Sequence, residues 1–505
     1  MNIKLSLEEK SAQVLNSFRF GKTEISDYCI QHGWGGIQLS IWDYKTFAGA
    51  RATIEDFRRR SKIPPFITTD TEGGLGATLD EATEFPGLMA IGATGDPGLA
   101  AAVARATALE CAAIGLSWSF CPVADVNTYP FNPSTNVRSY GTDPETVSRF
   151  VEAHIRAYRD NGLVSTAKHF PGQGDSRKNS HYELERIVRG RDEMDQCELV
   201  PFRRAFAAGV ETVMTNHAIY PAYDDVEPAS FSRELLTNLL RVQMGFKGIV
   251  ITDCLEMKAI KDHYSVEESV TKSLLAGCDI VLTENDCEKS LFAVVNGVKK
   301  GIISERMLDE RVEKIIALKE KYGLFKPLQA PALSLQEHRK LAETIARKSV
   351  KIARNAKSLL PLGLPADQQL LLIVPEKNEK LNIGVHSSEK DMARYMRKYH
   401  PHLVERRIPL AVSPATRDEL GRAAAASGAV IFDASFRLPS GQSCILSPKQ
   451  IELLKHLHGK NGRLIVLGFN PFIISQIPFV DAIIFTYGRN EFVLNRAAEL
   501  VFEEN

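Results

Sequence analysis

Between Lys168 and His181 the chain reads KHFPGQGDSRKNSH, which puts Lys168, two histidines and Asp175 within fourteen residues. Pro171, Gly172 and Gly174 follow an apolar run (163–167), so the backbone leaves a strand there and turns sharply. Histidine titrates near neutrality and suits proton transfer. Polar groups gathered at the end of a buried strand are costly unless paired, which makes the stretch a candidate site. The plainer alternative is a surface loop with incidental charges. Other apolar runs also end in polar residues: Asp70, Asp125, Asn216 with His217, Asp253 and Thr283. One strand-ending Asp is usually a helix N-cap. Six endings of this kind, counting Lys168–His169, ask for a common explanation.

The elements that would position them alternate regularly over the first 325 residues. Strand candidates are 14–20, 35–40, 65–70, 117–126, 164–170, 212–220, 248–253 and 278–283. Helical patterns lie between them at 99–114, 144–161, 192–208, 232–244 and 265–276. Strands separated by helices pair in parallel, because a parallel neighbour needs a long crossover. Their near-continuous apolarity suits a sheet covered on both faces. Eight such repeats predict a (β/α)8 TIM-type barrel over 1–325, with the polar endings on one rim. An open doubly wound sheet is the alternative. Helical patterns 288–300 and 304–322 close the unit. Pro327 and Pro331 mark a linker, placed at 326–340, and an amphipathic helix is expected over 335–354. A smaller C-terminal α/β domain, of sandwich-like layering, is expected over 341–505, with strands at 369–376, 428–435, 463–469 and 481–488. It carries neither GxGxxG nor GxxxxGK[ST], so nothing supports a nucleotide site. His386, His400, His402, His456 and His458 are scattered there and read as surface or structural residues.

Bulk properties exclude several classes. Of 505 residues, 44% are hydrophobic and 25% charged, as in soluble globular proteins. Lys+Arg and Asp+Glu both total 62, with no long block of one sign, which argues against nucleic acid or a membrane surface as partner. No apolar stretch suggests a membrane span. The first residues, MNIKLSLEEK, are charged and lack the apolar core of a signal peptide. Eight cysteines without a CxxC pair read as buried thiols of a reducing compartment, not as zinc ligands. A cytoplasmic protein is expected.

Three motifs in order, FCPVADVNTYPFNPSTNVRSYGTDPE (120–145), KHFPGxGxxxxxSH (168–181) and VITDCLEM (250–257), resemble family 3 glycoside hydrolases, in their β-N-acetylglucosaminidase (β-N-acetylhexosaminidase) branch. DTEGG (70–74), FPGLMAIGATGDPGLA (85–100) and TYGRNEF (486–492) extend the resemblance over nearly the whole chain. It implies a barrel followed by an α/β domain. The implied activity is retaining hydrolysis of terminal β-N-acetylglucosaminides in small saccharides such as cell-wall turnover fragments. Asp253 would be the nucleophile that forms a glycosyl-enzyme. His181 would be the acid/base, with Asn179 behind it. Asp70, Arg138, Lys168, His169 and Met257 would contact the sugar, and Asp125 would order the NPSTNVRS loop. No metal or organic cofactor is implied, and a homodimer is left open.

The chain departs from the family pattern at three places. Asn179 replaces the aspartate that tunes the acid/base histidine, and Asp175, Glu183 and Glu185 are candidates to supply the missing carboxylate. Gln173 stands where a histidine is common. In LGATL (75–79), Thr78 replaces a substrate-contacting arginine. A different sugar specificity, or a weakly active or non-catalytic sugar-binding homologue, are the alternatives these changes raise.

Overall fold

Eight short strands close into a ring in the computed structural model, which describes residues 4–18, 24–39, 45–375, 391–410, 412–435 and 446–503. They are β1 (Leu15–Phe18), β2 (Gly36–Gln38), β3 (Phe66–Thr69), β4 (Trp118–Ser119), β5 (Thr166–Phe170), β6 (Thr212–Thr215), β7 (Ile249–Ile251) and β8 (Val281–Thr283). Parallel ladders run β8-β1-β2-β3-β4 and β5-β6-β7. Single parallel bridges from Trp118 to Val164, Val123 to Lys168 and Ile251 to Ile280 join the two ladders at both edges. This is the (β/α)8 barrel, not the open sheet. One continuous apolar core fills it and extends under the surrounding helices.

Local chemistry explains the helix starts. Asp96 and Asp143 accept the N–H groups of Gly98 and Thr146, each just before a proline in the first helical turn. Ser265 and Glu268 form a reciprocal capping box. Helix Pro97–Ile114 corrects one expectation: by length and composition it could cross a membrane, yet it packs against the barrel with 56% of that stretch buried.

Two expected strands are divided. Only Trp118–Ser119 of 117–126 is a strand, since Pro122 has no N–H to give a ladder. The run 212–220 stops at Thr215, where Asn216 accepts the Ala218 N–H and donates to the Tyr220 hydroxyl. Residues Ile219–Tyr220 instead form a hairpin with Asp224–Pro228. The 192–208 helix is likewise two, Arg191–Gln196 and Leu199–Ala208. Ser40, Glu376, His386, Cys444 and residues 19–20 lie outside the described residues.

The expected 335–354 helix ends at Ser349, and Lys351–Asn355 is a strand antiparallel to its neighbour. Within that helix, Ala342 and Ile345 belong to the barrel core and Ala346 to the next core. His338 Nδ1 lies 2.7 Å from Glu110 Oε1 of helix Pro97–Ile114. The second unit is a six-stranded sheet: β9 (Lys351–Asn355), β10 (Leu370–Pro375), β11 (Leu403–Ile408), β12 (Ala429–Ala434), β13 (Leu464–Gly468) and β14 (Ala482–Phe485), in the order β9-β14-β13-β12-β10-β11. Apolar clusters on both faces make it an α/β sandwich.

One glycine ties fold to site. A Cβ on Gly174 would overlap the Val126 carbonyl oxygen, so the KHFPGQG loop can lie against 126–127 only without a side chain. Gly174→Ala should lower stability by about 1–3 kcal/mol, read as a fall in the urea midpoint at unchanged slope.

Candidate active site

At the C-terminal mouth of the barrel, where βα loops converge, β3, β5 and the 132–139 loop bring four charges together. Lys168 is 2% exposed, and its Nζ donates to Asp70 Oδ1 at 2.5 Å and lies 2.9 Å from Glu72 Oε1. Arg138 grips Glu72 with two N–H groups, at 2.8 and 2.7 Å. Gln38 of β2 donates to the other Asp70 oxygen at 3.3 Å. For Glu72, Arg138 and Lys168 burial works against the charge, yet the partners outweigh it. Arg138 and Lys168 hold the Glu72 carboxyl well below its usual range. Asp70 and Glu72 hold the Lys168 ammonium above its own, and Glu72 does the same for Arg138.

Asp125, fully buried, orders the next layer. Its carboxylate accepts the backbone N–H groups of His169 (3.2 Å) and Gln173 (2.9 Å), lies 2.7 Å from His169 Nδ1, and takes the Thr135 hydroxyl at 3.4 Å. It therefore braces the histidine loop as well as the expected NPSTNVRS loop. Asn132 adds to this by accepting from Ser134 and Thr135 N–H and donating to the Gln173 and Gly174 carbonyls. Gln173 keeps a structural place, its amide 2.9 Å from His169 Nδ1.

Asp253 follows β7. Its backbone N–H donates to Thr215 O, and its side chain accepts the Cys254 N–H at 2.8 Å. It does not cap the next helix, Lys258–Lys261, which starts from Met257 without a side-chain cap. Burial raises the Asp253 pKa, but the imidazoles of His169, His217 and His181 with the Cys254 N–H bring it below the ordinary value. His217 lies between the Ser230 hydroxyl (2.9 Å) and the Cys254 carbonyl (3.0 Å). The carbonyl can only accept, so Nε2 carries the proton. Met257 is buried in the barrel core.

The loop bearing His181 is docked over this cluster. Ser180 O accepts from Ala259 N–H and His181 O from Lys258 N–H. Asn179 Oδ1 accepts the His181 backbone N–H at 2.9 Å and lies 2.8 Å from His181 Nδ1, while its amide donates to Pro133 O. The carboxylate candidates do not replace it. Glu185 accepts from Ser176 and Arg177, Glu183 pairs with Lys178, and Asp175 faces Cys197 and Glu198. Without a carboxylate behind it, the His181 imidazole is pushed by burial down to about 4, against the opposing pull of Asp253.

The structure thus gathers Asp70, Arg138, Lys168, His169, Asn179, His181 and Asp253 at one mouth. Sequence reasoning missed Glu72, the carboxylate common to both cations, although DTEGG contains it. It also named no residue of the second unit. Phe469, Tyr487 and Asn490 line a cleft with Glu72, Val137 and Arg138. Asn490 donates to Glu84 O across the junction, and Phe469 and Tyr487 pack with Met89 and Val137. The Thr78 hydroxyl donates to Leu75 O, closing its own turn.

Comparison with known proteins agrees with this architecture. The Glycosyl hydrolase family 3 N terminal domain matches residues 6–318. The chain belongs to that family. A β-N-acetylglucosaminidase/β-glucosidase of Cellulomonas fimi is 31% identical over 344 residues, covering 65% of this chain and 60% of its own length. β-Hexosaminidase A of Pseudoalteromonas piscicida is 32% identical, over 63% of this chain and 58% of that protein. The match therefore spans about three fifths of these relatives. A family 3 β-N-acetylglucosaminidase from a Paenibacillus strain superposes over 99% of this chain and 97% of its own, at TM-score 0.89 and 28% identity.

Removing the charge of Glu72 would leave two buried cations short of a partner. Glu72→Gln should cost about 3–5 kcal/mol, read by urea denaturation near neutrality. Because the folded pKa of Glu72 is depressed, its contribution is complete above the ordinary carboxylate range and fades as pH falls below it. The variant should therefore lose less stability between neutral and acid pH than the wild type does.

Proposed function

We propose that the protein is a retaining β-N-acetylglucosaminidase in which Asp253 attacks the anomeric carbon and His181 carries the proton. The observation that carries this reading is the placement of a half-buried carboxylate with a lowered pKa beside His181, at a barrel mouth already lined by Asp70, Lys168 and His169. The names of the relatives, which include β-hexosaminidases, support the sugar assignment. Cell-wall turnover fragments met in the cytoplasm are the proposed natural substrates.

In the first step the Asp253 oxygen bonds to the anomeric carbon, the glycosidic C–O bond breaks, and His181 delivers a proton to the departing oxygen. Nδ1 is committed to Asn179, so Nε2 is the nitrogen that serves. Lys168 and Arg138, held by Asp70 and Glu72, offer donors to ring hydroxyls without needing to reorganise. In the second step neutral His181 takes a proton from water as the water oxygen bonds to the anomeric carbon, and the bond from that carbon to Asp253 breaks to return the carboxylate. Esterification removes the Asp253 charge that had raised the His181 pKa, which favours the neutral imidazole needed here.

The first step needs protonated His181, and a pKa of about 4 makes that form scarce at neutral pH. Activity should therefore favour the acid side, measured as kcat/KM on a chromogenic β-N-acetylglucosaminide between pH 4 and 8. Asn179→Asp would place an anion against Nδ1–H and move the basic limb upward by about one unit or more. An unmoved limb would remove His181 from the acid role. Asp253→Ala should lose about four orders of magnitude or more, and equal rates would sink the nucleophile.

A second sugar is favoured by one observation, the turn-bound Thr78 that offers no cation to substrate. Aryl β-glucoside turned over faster than aryl β-N-acetylglucosaminide would establish that reading. Binding of N-acetylglucosamine without hydrolysis of either would assign a non-catalytic homologue.

A further inference from the structure

Six described cysteines are buried and Cys197 is half-buried, but two of them meet. Cys29, on helix Glu24–His32, and Cys287, first residue of helix Cys287–Lys299, are 258 positions apart in sequence, with Sγ atoms 3.8 Å from each other. Among the described residues no other two cysteine sulfurs are in contact. The Ser17 hydroxyl of β1 lies 3.3 Å from Cys287 Sγ. The two thiols are not equivalent. Hydrogen bonding from Cys29 and Ser17 keeps the Cys287 thiol below its ordinary range despite burial, whereas burial drives Cys29 well above it. Cys287 also sits at the positive end of a helix, which favours a thiolate.

The surroundings connect this pair to the mouth of the barrel. Immediately before Cys287, the backbone N–H groups of Glu284 (2.5 Å), Asn285 (2.5 Å) and Asp286 (3.2 Å) all donate to Glu256 Oε1, and the Asn285 amide donates to Oε2 at 3.0 Å. Glu256 is three residues from Asp253. Leu255 N–H donates to Leu282 O at 3.0 Å in the same place. The nucleophile loop therefore hangs on the turn that leads into Cys287.

We propose that Cys29 and Cys287 are a reversible oxidation site, and that closing their disulfide shifts the 284–286 turn and with it the Asp253 loop. The effect on activity rests on Asp253 being the nucleophile; the oxidation site does not. The oxidant is a hydroperoxide. Cys287 thiolate attacks a peroxide oxygen, the S–O bond forms and the O–O bond breaks, and the departing hydroxide takes a proton to become water. Cys29, giving up its thiol proton, then attacks the Cys287 sulfur, the S–S bond forms and the S–O bond breaks, and a second water leaves. Two thiols and one hydrogen peroxide thus give one disulfide and two waters. The sulfurs must approach by about 1.8 Å to reach bonding distance.

The test treats purified full-length protein with hydrogen peroxide, blocks free thiols, and maps peptides by mass spectrometry beside hydrogen exchange of 253–257 and 282–287. A cross-linked Cys29–Cys287 peptide, faster exchange in both segments and return of both signals with dithiothreitol are expected. Hydrolysis of the chromogenic substrate should fall roughly tenfold or more and recover on reduction, since ångström-scale misplacement of a reacting group costs up to about 10²-fold. Cys29→Ser and Cys287→Ala should each keep basal activity and lose the reversible response. Peroxide that modifies Cys197 while leaving Cys29 and Cys287 unlinked would overturn the site. A cross-link without change in exchange would overturn its coupling to the loop. If neither wild type nor reduced protein hydrolyses a glycoside, the glycosidase reading fails while mass and exchange still decide the oxidation site.

Discussion

The Glu72 carboxylate is the constraint on which the barrel mouth depends. It is 8% exposed and lies between Arg138 and Lys168, whose own side chains are 17% and 2% exposed and so are largely withdrawn from solvent. Charge buried without a partner costs several kcal/mol, whereas a fully paired network holds its members in one geometry. Asp70 completes the balance, so two carboxylates face two cations. The consequence is positional. Lys168 and Arg138 come from elements far apart in sequence and would otherwise be long side chains with many rotamers. Pairing through one carboxylate fixes both in one geometry.

Asp125 does for the backbone what Glu72 does for side chains. The KHFPGQG loop is buried, so its N–H groups must find acceptors inside the protein. Asp125 takes two of them and the His169 ring. Gly174 then lets the loop pass close to Val126, and Asn132 receives it from the other side. The histidine loop is thus rigid at its base, while its far end, around His181, rests on the short helix that follows Asp253. His181 and Asp253 are positioned by the same contact.

Legibility in the sequence followed burial. Strands covered on both faces, such as β6 and β7, announce themselves by apolar runs, and their polar ends marked the mouth correctly. The edge strand β11, LVERRI, escaped notice because Arg406 and Arg407 face solvent and interrupt the run. Strand β9 was absorbed into the preceding helix, since KIARN continues an amphipathic pattern and only pairing with β14 makes it a strand. The break after Thr215 depends on Asn216 finding the Tyr220 hydroxyl, a contact no periodicity records. Glu72 was hidden for a similar reason: its partners lie at positions 138 and 168, and its meaning is tertiary.

The second unit carries the same lesson into the site. Its parallel strands end toward the barrel, and the turn 487–490 after β14 stands opposite Val137 and Arg138. Tyr487 adopts a left-handed backbone with φ of 54°, uncommon for a residue with a side chain. Its carbonyl oxygen lies against Gly87, where a Cβ would stand 3.5 Å away. A conformation of this cost persists where surrounding contacts fix it, and here they come from both units. Arg489 adds to them by donating to Asp433 and Ser435 at the end of β12, which ties the turn to its own sheet. The cleft beside Arg138 therefore has one wall set by the barrel and one set by the sheet. Its shape depends on how the two units dock, and the contacts of Phe469, Tyr487 and Asn490 contribute to that docking.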